Sequence, residues 1–379
     1  MSASALSIAI VGAGIGGLTA ATTLRNIGHE VRVYEQAQAF ARVGAGIQQG
    51  PNAVKVLRGM GLEPRLRDLA YRPESFLNRH GHSGEVTWER ELGAAAEEKY
   101  DAPYLYMHRG DLHAAIASLV PDSIVERNRK LVALDARTDR VRLDFEDGSG
   151  VDAELVIGAD GVHSVVREYL LGPEAPRFTG RVAYRTTFPA GALAGAESEY
   201  CAKWWGPDRH IVIYYVNPRH DEIYFVTSTP EPDYDVESWS EKGDLDELRH
   251  AYRDFHPNVR AVLDACQDVH KWALFERDPL PRWSDGRITL LGDACHPMTP
   301  YMAQGAATAI EDAAVLARCL EGVGPGEIAD ALRRYERSRK QRTARIQLIS
   351  RLNDMAKIKA EIESVYSYDA WTAPLAEAG

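Results

Sequence analysis

The chain has 379 residues, with 44 Lys plus Arg against 55 Asp plus Glu and a formal net charge of −11. That acidic balance argues against nucleic acid or an anionic membrane as partner, since both attract basic surfaces. The apolar share of 45% is that of an ordinary globular protein, and the length suggests two or three domains. No run of about 18 apolar residues is present, so no membrane-spanning helix is expected. The start Met1-Ser2-Ala3-Ser4 lacks the basic n-region of a signal peptide. The cysteines Cys201, Cys266, Cys295 and Cys319 are far apart. Together these features point to a reduced, cytoplasmic setting with neither a disulfide framework nor a zinc site.

Ile8-Ala9-Ile10-Val11 reads as a buried strand, and Gly12-Ala13-Gly14-Ile15-Gly16-Gly17 follows at once, opening a helical segment from Ile15 to Ile27. In that context the glycines mark a dinucleotide pyrophosphate seated on a helix N-terminus. Gly12 allows the tight turn, Gly14 lets the backbone approach the phosphates, and Gly17 lets helix and strand pack closely. Val31 to Glu35 is the second strand. Glu35, 23 residues after Gly12, is placed to accept hydrogen bonds from a ribose hydroxyl pair. Further on, His108-Arg109-Gly110-Asp111 begins a helix, and Leu131–Leu134 with Val141–Phe145 forms a hairpin-type pair. Gly158 to Arg167 carries a second glycine–aspartate turn.

Tyr200 to Val216 and Glu222 to Thr229 alternate Trp, Tyr, Val and Ile with polar residues, the period of an antiparallel sheet. Ile288-Thr289-Leu290-Leu291 is another buried strand. It ends in Gly292-Asp293, and after a Pro-rich turn a helix runs from Gln304 to Leu320. A second helix N-terminus, with an Asp suited to a polyol, is thus brought up to the same cofactor. From Glu327 to about Ser364 a long helical pattern carries seven basic residues between Arg333 and Arg345, read as a solvated outer face.

Gly12–Gly17, Gly158–Arg167 and Gly292–Pro297, in this order along essentially the whole chain, resemble the FAD-dependent aromatic monooxygenases of the para-hydroxybenzoate hydroxylase class. The resemblance implies an α/β fold. An interrupted Rossmann-like FAD-binding domain (1–70, 100–180 and 270–320) would be joined by an antiparallel β-sheet substrate domain (71–99 and 181–269). A long C-terminal helix would lie in a 321–379 segment. FAD would be resident, with O2 and NADH or NADPH as co-substrates; the donor binds transiently, because no second dinucleotide fingerprint exists. Carried onto this chain, the FAD contacts are Gly12, Gly14, Gly16, Gly17, Glu35, Gln36, Gln48, Arg109, Leu131, Asp160, Asp293, Gly305 and Ala306. Arg109 suits the pyrophosphate because its fork can bind phosphate oxygens bidentately. The implied chemistry passes an oxygen atom from a C4a-hydroperoxyflavin to an electron-rich ring carbon, without a metal and with water excluded.

Gly44 to Asn52, Cys201 to Trp205, Asp208 to Tyr215 and Pro297 to Ala306 are similar to the 6-hydroxynicotinate 3-monooxygenases of that class, which replace a ring carboxylate by a hydroxyl with loss of CO2. The similarity gives Tyr214 and His210 catalytic roles and makes Gln48, Cys201 and Tyr301 substrate contacts. It also implies histidines at the positions of Gln48 and Tyr301. An amide cannot act as a base near neutral pH, so other hydroxypyridine, hydroxybenzoate and aminobenzoate acids stay open. Hydroxylation without decarboxylation, of the salicylate type, is the alternative. A halogenase is disfavoured because Lys271-Trp272-Ala273-Leu274-Phe275-Glu276 lacks the W-x-W-x-I-P signature. A non-catalytic dinucleotide binder is disfavoured by the retained Gly292-Asp293 and the polar pocket residues. The expected partner is a small aromatic acid; a homodimer is compatible with the sequence and not required by it.

Overall fold

Ser7–Val11, Leu155–Gly158 and Ile288–Leu290 are almost wholly apolar, a composition stable only where both faces of a strand are covered. The computed structural model, which describes residues 5–40, 45–193, 201–234 and 241–377, sets them side by side within a six-stranded sheet. Its order is Ser284–Asp285, Ile288–Leu290, Leu155–Gly158, Ser7–Val11, Glu30–Tyr34 and Val125–Glu126. All neighbours are parallel except the first pair. The three glycine motifs therefore leave one edge of one sheet together. Gly44 and Tyr200, which belong to the quoted motifs, lie outside the described residues. The helices Ile15–Asn26 and Gly305–Leu320 pack on each other beside that edge. A Cβ on Gly16 would meet Leu291 Cδ2 at 2.6 Å and Ala309 Cβ at 3.2 Å, so glycine there sets how closely they cross.

A second sheet of eight strands lies against this edge. It runs Glu241–Lys242, His270–Glu276, Arg177–Pro189, Glu222–Pro230, His210–Tyr215, Cys201–Trp205, Ser75–His80 and Val86–Glu91. Only Cys201–Trp205 with Ser75–His80 is parallel. The strand Arg177–Pro189 runs across the division expected at 181, and His270–Glu276, on the FAD-binding side of the division expected at 269, belongs to this second sheet. Alternation sorts the side chains: Ala202, Trp204, Ile211, Ile213, Ile223 and Phe225 form a core with the helices Leu245–Ala251 and Pro257–Ala265. Their neighbours Cys201, Lys203, His210, Val212, Tyr214, Tyr224 and Val226 turn to the other face. A one-residue slip would exchange the two sets, which pins the register. The hairpin expected at Leu131–Phe145 forms, and Gly150–Ala153 adds a third strand.

The single helix expected from Glu327 to Ser364 is instead two, Ile328–Leu352 and Met355–Tyr366. Asn353 adopts φ 47°, a left-handed conformation that asparagine tolerates, and Asp354 accepts hydrogen bonds from the Ala356 and Lys357 N–H groups to start the second helix. The basic face is not uniformly solvated either. Arg339 is fully buried, donating to Asp312 Oδ1 at 2.7 Å and pairing with Glu311 Oε2 at 2.7 Å. Arg342 also pairs with Glu311, and Asp312 holds His296 Nε2 at 2.6 Å. Two buried carboxylates demanded counter-ions, and the helix supplied them; helical periodicity alone carries no sign of that demand.

Burial by itself would raise both carboxyls, but His296 and Arg339 at Asp312, and Arg342 and Arg339 at Glu311, outweigh it and hold them below the usual range. Their stabilisation is therefore full above the ordinary carboxyl pKa of about 4 and is lost as the pH falls through the depressed values. Asp312→Ala at neutral pH should cost about 3–5 kcal/mol, the usual penalty for stranding one partner of a buried pair. Denaturant titration measures this, and a midpoint equal to the parent's would show that the cluster contributes nothing to stability.

Candidate active site

Two of the glycines in the first turn are dictated by neighbouring backbone. Gly12 sits at φ 101°, where a Cβ would lie 2.3 Å from Ala159 O, and a Cβ on Gly17 would lie 2.0 Å from Gly12 O. Gly14 differs: a Cβ there would meet nothing within 4 Å, and no side chain caps the helix it starts. An open helix end with free N–H groups is a ready anion site. Glu35 Oε2 accepts from Ala13 N–H and Oε1 from Ala37 N–H, both at 2.8 Å. Each oxygen keeps a lone pair for a ribose hydroxyl. His113 Nε2 contacts Ala13 O at 2.8 Å, tying the helix Arg109–Ala117 to the glycine turn.

Between the sheet edge and the second sheet lies a cavity of about 410 Å³. Gly14, Gly16, Gln48, Arg109, Asp293, Gly305 and Ala306 line it from the expected set, and Arg185, Tyr214, Tyr224, Val226 and Trp272 from the second sheet. The helix Gly305–Leu320 also begins without a side-chain cap. Asp293 reaches solvent through this cavity, yet surrounding protein desolvates it enough to raise its carboxyl, against the opposing pull of His296 and Arg109. Two uncapped helix ends, a Gly14 cradle with room for a ligand, an arginine and a carboxylate suited to hydroxyls together fit FAD.

The remaining expected FAD residues stand elsewhere. Gly12 and Gly17 are behind the turn. Glu35, exposed Gln36 and buried Leu131 are not among the cavity-lining residues. Asp160 accepts from Ser164 Oγ at 2.5 Å and Val166 N–H at 3.2 Å, so it shapes the start of the helix Val165–Leu171 while Ala159, Gly161 and Val162 face the cavity. Arg167 bonds Val162 O and Ala294 O, tying the second and third motifs together.

Of the residues expected at the substrate, the structure brings Tyr214 and Gln48 to one cavity and leaves the others apart. Tyr214 is buried on the cavity wall that Gln48 also lines, its phenol raised well above the usual value by desolvation. His210 shares Tyr214's face but lies four residues along the strand, about 13 Å away. It packs on Trp205 and edge-on to Tyr301, 5.5 Å between ring centroids. Burial, with Lys203 and Arg181 nearby, pushes its pKa well below the usual value, so its imidazole is neutral at neutral pH. Cys201 pairs with Tyr214 across the strands, and burial raises its thiol to about 12. Tyr301 bonds Ser228 Oγ at 2.9 Å. His210, Cys201 and Tyr301 are not cavity-lining. Reasoning from motifs alone passed over Arg185, stacked 4.1 Å above Trp272, and Tyr224. The only hint was alternation: Arg185 is a charged residue in an otherwise sheet-like run.

The family model described as FAD binding domain matches residues 5–348, and the chain belongs to that family. The 6-hydroxynicotinate 3-monooxygenase of Bordetella bronchiseptica is 45% identical over 372 residues, 98% of this chain and 97% of the relative. The 3-amino-4-hydroxybenzoate 2-monooxygenase of Streptomyces cremeus is 41% identical over 343 residues, covering 90% and 85%. Among solved structures, Klebsiella pneumoniae HpxO complexed with FAD and uric acid superposes with a TM-score of 0.82 at 27% identity, covering 96% and 93%. The protein is accordingly a FAD-dependent aromatic monooxygenase. No helix among the described residues is long and apolar enough to cross a membrane.

Asp293→Ala removes an acceptor for a cofactor hydroxyl. A charge-assisted hydrogen bond of about 1.5–3 kcal/mol should be lost, weakening FAD retention on the order of tenfold to a hundredfold. Flavin released on dialysis reads this directly, and full retention would remove Asp293 from the FAD site.

Proposed function

We propose that the enzyme oxygenates a small hydroxylated ring acid resembling 6-hydroxynicotinate, replacing its carboxylate by a hydroxyl. The observation that carries this reading is the Tyr214 hydroxyl, set beside Gln48 on the wall of a cavity that also holds Arg109 and Arg185. Near-full-length similarity to a 6-hydroxynicotinate 3-monooxygenase supports it. When bound, FAD reduced by NADH or NADPH supplies the activated oxygen atom. One atom of O2 goes to the ring, the other to water, and the carboxylate leaves as CO2. The chain's own groups orient and shield. Tyr214 hydrogen-bonds the ring oxygen, Arg185 favours an anionic substrate, and Tyr224, Val226, Trp272 and Leu274 keep the ring side dry. His210 and Tyr301 act from behind this wall, holding its register, and Cys201 supports Tyr214 from the adjacent strand. A second reading, hydroxylation with the carboxylate retained, is favoured by Gln48, whose amide offers no titratable proton.

Hydroxynicotinates, hydroxybenzoates and aminohydroxybenzoates should be screened for stimulated NADH oxidation, with the product weighed by mass spectrometry. A net loss of about 28 mass units means decarboxylative hydroxylation, a gain of about 16 means the second reading, and no stimulation by any ring acid sinks both. Tyr214→Phe should lower turnover roughly a hundredfold or more with FAD content unchanged. Parent-like turnover would reduce Tyr214 to packing.

A further inference from the structure

A second cavity, of about 350 Å³, shares no lining residue with the first. Its size falls among those of small-molecule sites, about 300–1,000 Å³. One side chain stands between the two: Tyr104 lines the second cavity, and its hydroxyl donates at 2.8 Å to Gln48 Oε1, on the wall of the first. The backbone joins them as well. Tyr71, another lining residue, exchanges hydrogen bonds of 2.7 and 3.0 Å with Tyr106, which pairs in turn with Gln48.

The rings of Tyr71, Tyr104 and His220, with Pro73, Pro103 and Pro218, make the flat apolar part of the lining. His220 is held at φ 58°, a left-handed conformation uncommon outside glycine. Asn217 Oδ1 enforces that turn by accepting from the Arg219 and Asp221 N–H groups at 3.1 and 3.4 Å. The imidazole is thereby seated edge-on to Tyr71 and flat on Tyr215, with centroids 4.9 and 4.6 Å away. Residues held in this way gather at ligand sites, where the surrounding fold offsets the strain. The charges are as telling. Arg67 is neutralised by Glu63 and Glu97. Arg72 and Glu74, both exposed on the cavity lining, have no side-chain hydrogen bond or ion pair among the described residues. Pro73 between them keeps Arg72 extended.

We propose that this cavity is a second binding site, for a flat ring acid that also carries a hydrogen-bond donor, such as a pyridone carboxylate or an aminobenzoate. Arg72 takes the carboxylate through its forked N–H groups. Glu74 accepts from the ring N–H or amine, and the ring lies among Tyr71, Tyr104 and His220, whose faces suit a planar partner. A guanidinium and a carboxylate side by side favour a ligand with one anionic and one donating end over a simple anion. The ligand class overlaps that of the proposed substrate, but the site stands on its own residues.

Equilibrium dialysis of the FAD-loaded enzyme without reductant, against 6-hydroxynicotinate and against benzoate, provides the test. 6-Hydroxynicotinate, whose pyridone form carries a ring N–H, should bind at two molecules per chain in the parent. It should bind at one in Ala94→Trp, whose indole fills the cavity from an exposed lining position and removes no polar group. Arg72→Ala should weaken the second molecule about tenfold to a hundredfold, the loss of a charge-assisted pair. Glu74→Ala should weaken 6-hydroxynicotinate at that site and spare benzoate, which has no donor to lose. FAD content and thermal midpoint serve as folding controls. One molecule per chain in both the parent and Ala94→Trp overturns this inference while leaving the ring-acid reading intact. Two in both places the second molecule elsewhere and overturns it as well. One in the parent and none in Ala94→Trp keeps the second site and overturns the ring-acid reading of the first cavity. A parent that binds none overturns both.

Discussion

Arg339, sealed from water between Asp312 and Glu311, is the contact on which the geometry of the site depends. A buried ion without its partner costs several kcal/mol, so these three groups tolerate little displacement. Asp312 also accepts from Gly292 N–H and holds His296, fixing the turn that presents Asp293. Glu311 accepts from Asn52 at 2.6 Å, and Asn52 reaches on to Gln304 at 2.9 Å. Asn52 belongs to the helix Pro51–Gly59, which follows the strand carrying Gln48. One cluster thus sets both the carboxylate expected at the cofactor and the strand that carries the Gln48 amide to the cavity.

The cavity exists because two layers of opposite character meet edge to face. Parallel strands deliver three turns to a common edge, the place where open α/β sheets bind ligands. The second sheet contributes a face rather than an edge, so its alternation presents every second side chain to the cofactor side. The lining divides accordingly: backbone and helix ends come from the first layer, whereas Tyr214, Tyr224, Trp272 and Arg185 come from the second.

What was legible in the sequence follows the same division. Gly12 and Gly17 announce themselves because each is required by backbone within a few ångströms, and Glu35 because its strand ends at a fixed distance from them. The antiparallel sheet showed in its period of two. Arg339 was hidden, because nothing in a helical run of arginines says which one will meet two carboxylates brought in by another helix. The break at Asn353 was hidden for a related reason: a single left-handed residue leaves the apolar period on either side unchanged. His210 and Tyr214 could be assigned a common face, but alternation does not reveal where along the strand the cavity stops.

The interrupted nucleotide sheet also has a consequence for synthesis. Ser7–Val11 waits for Leu155–Gly158, then for Ile288–Leu290, before its layer is complete. The carboxylates of Glu311 and Asp312 leave the ribosome before the arginine that neutralises them. Until residue 339 emerges, burying that helix would strand two charges, so the nascent chain has reason to keep its C-terminal third open. Closure of the flavin domain is thereby a late event, timed by the appearance of one guanidinium, and an interrupted chain is left with a loose nucleotide layer exposed to chaperones and proteases.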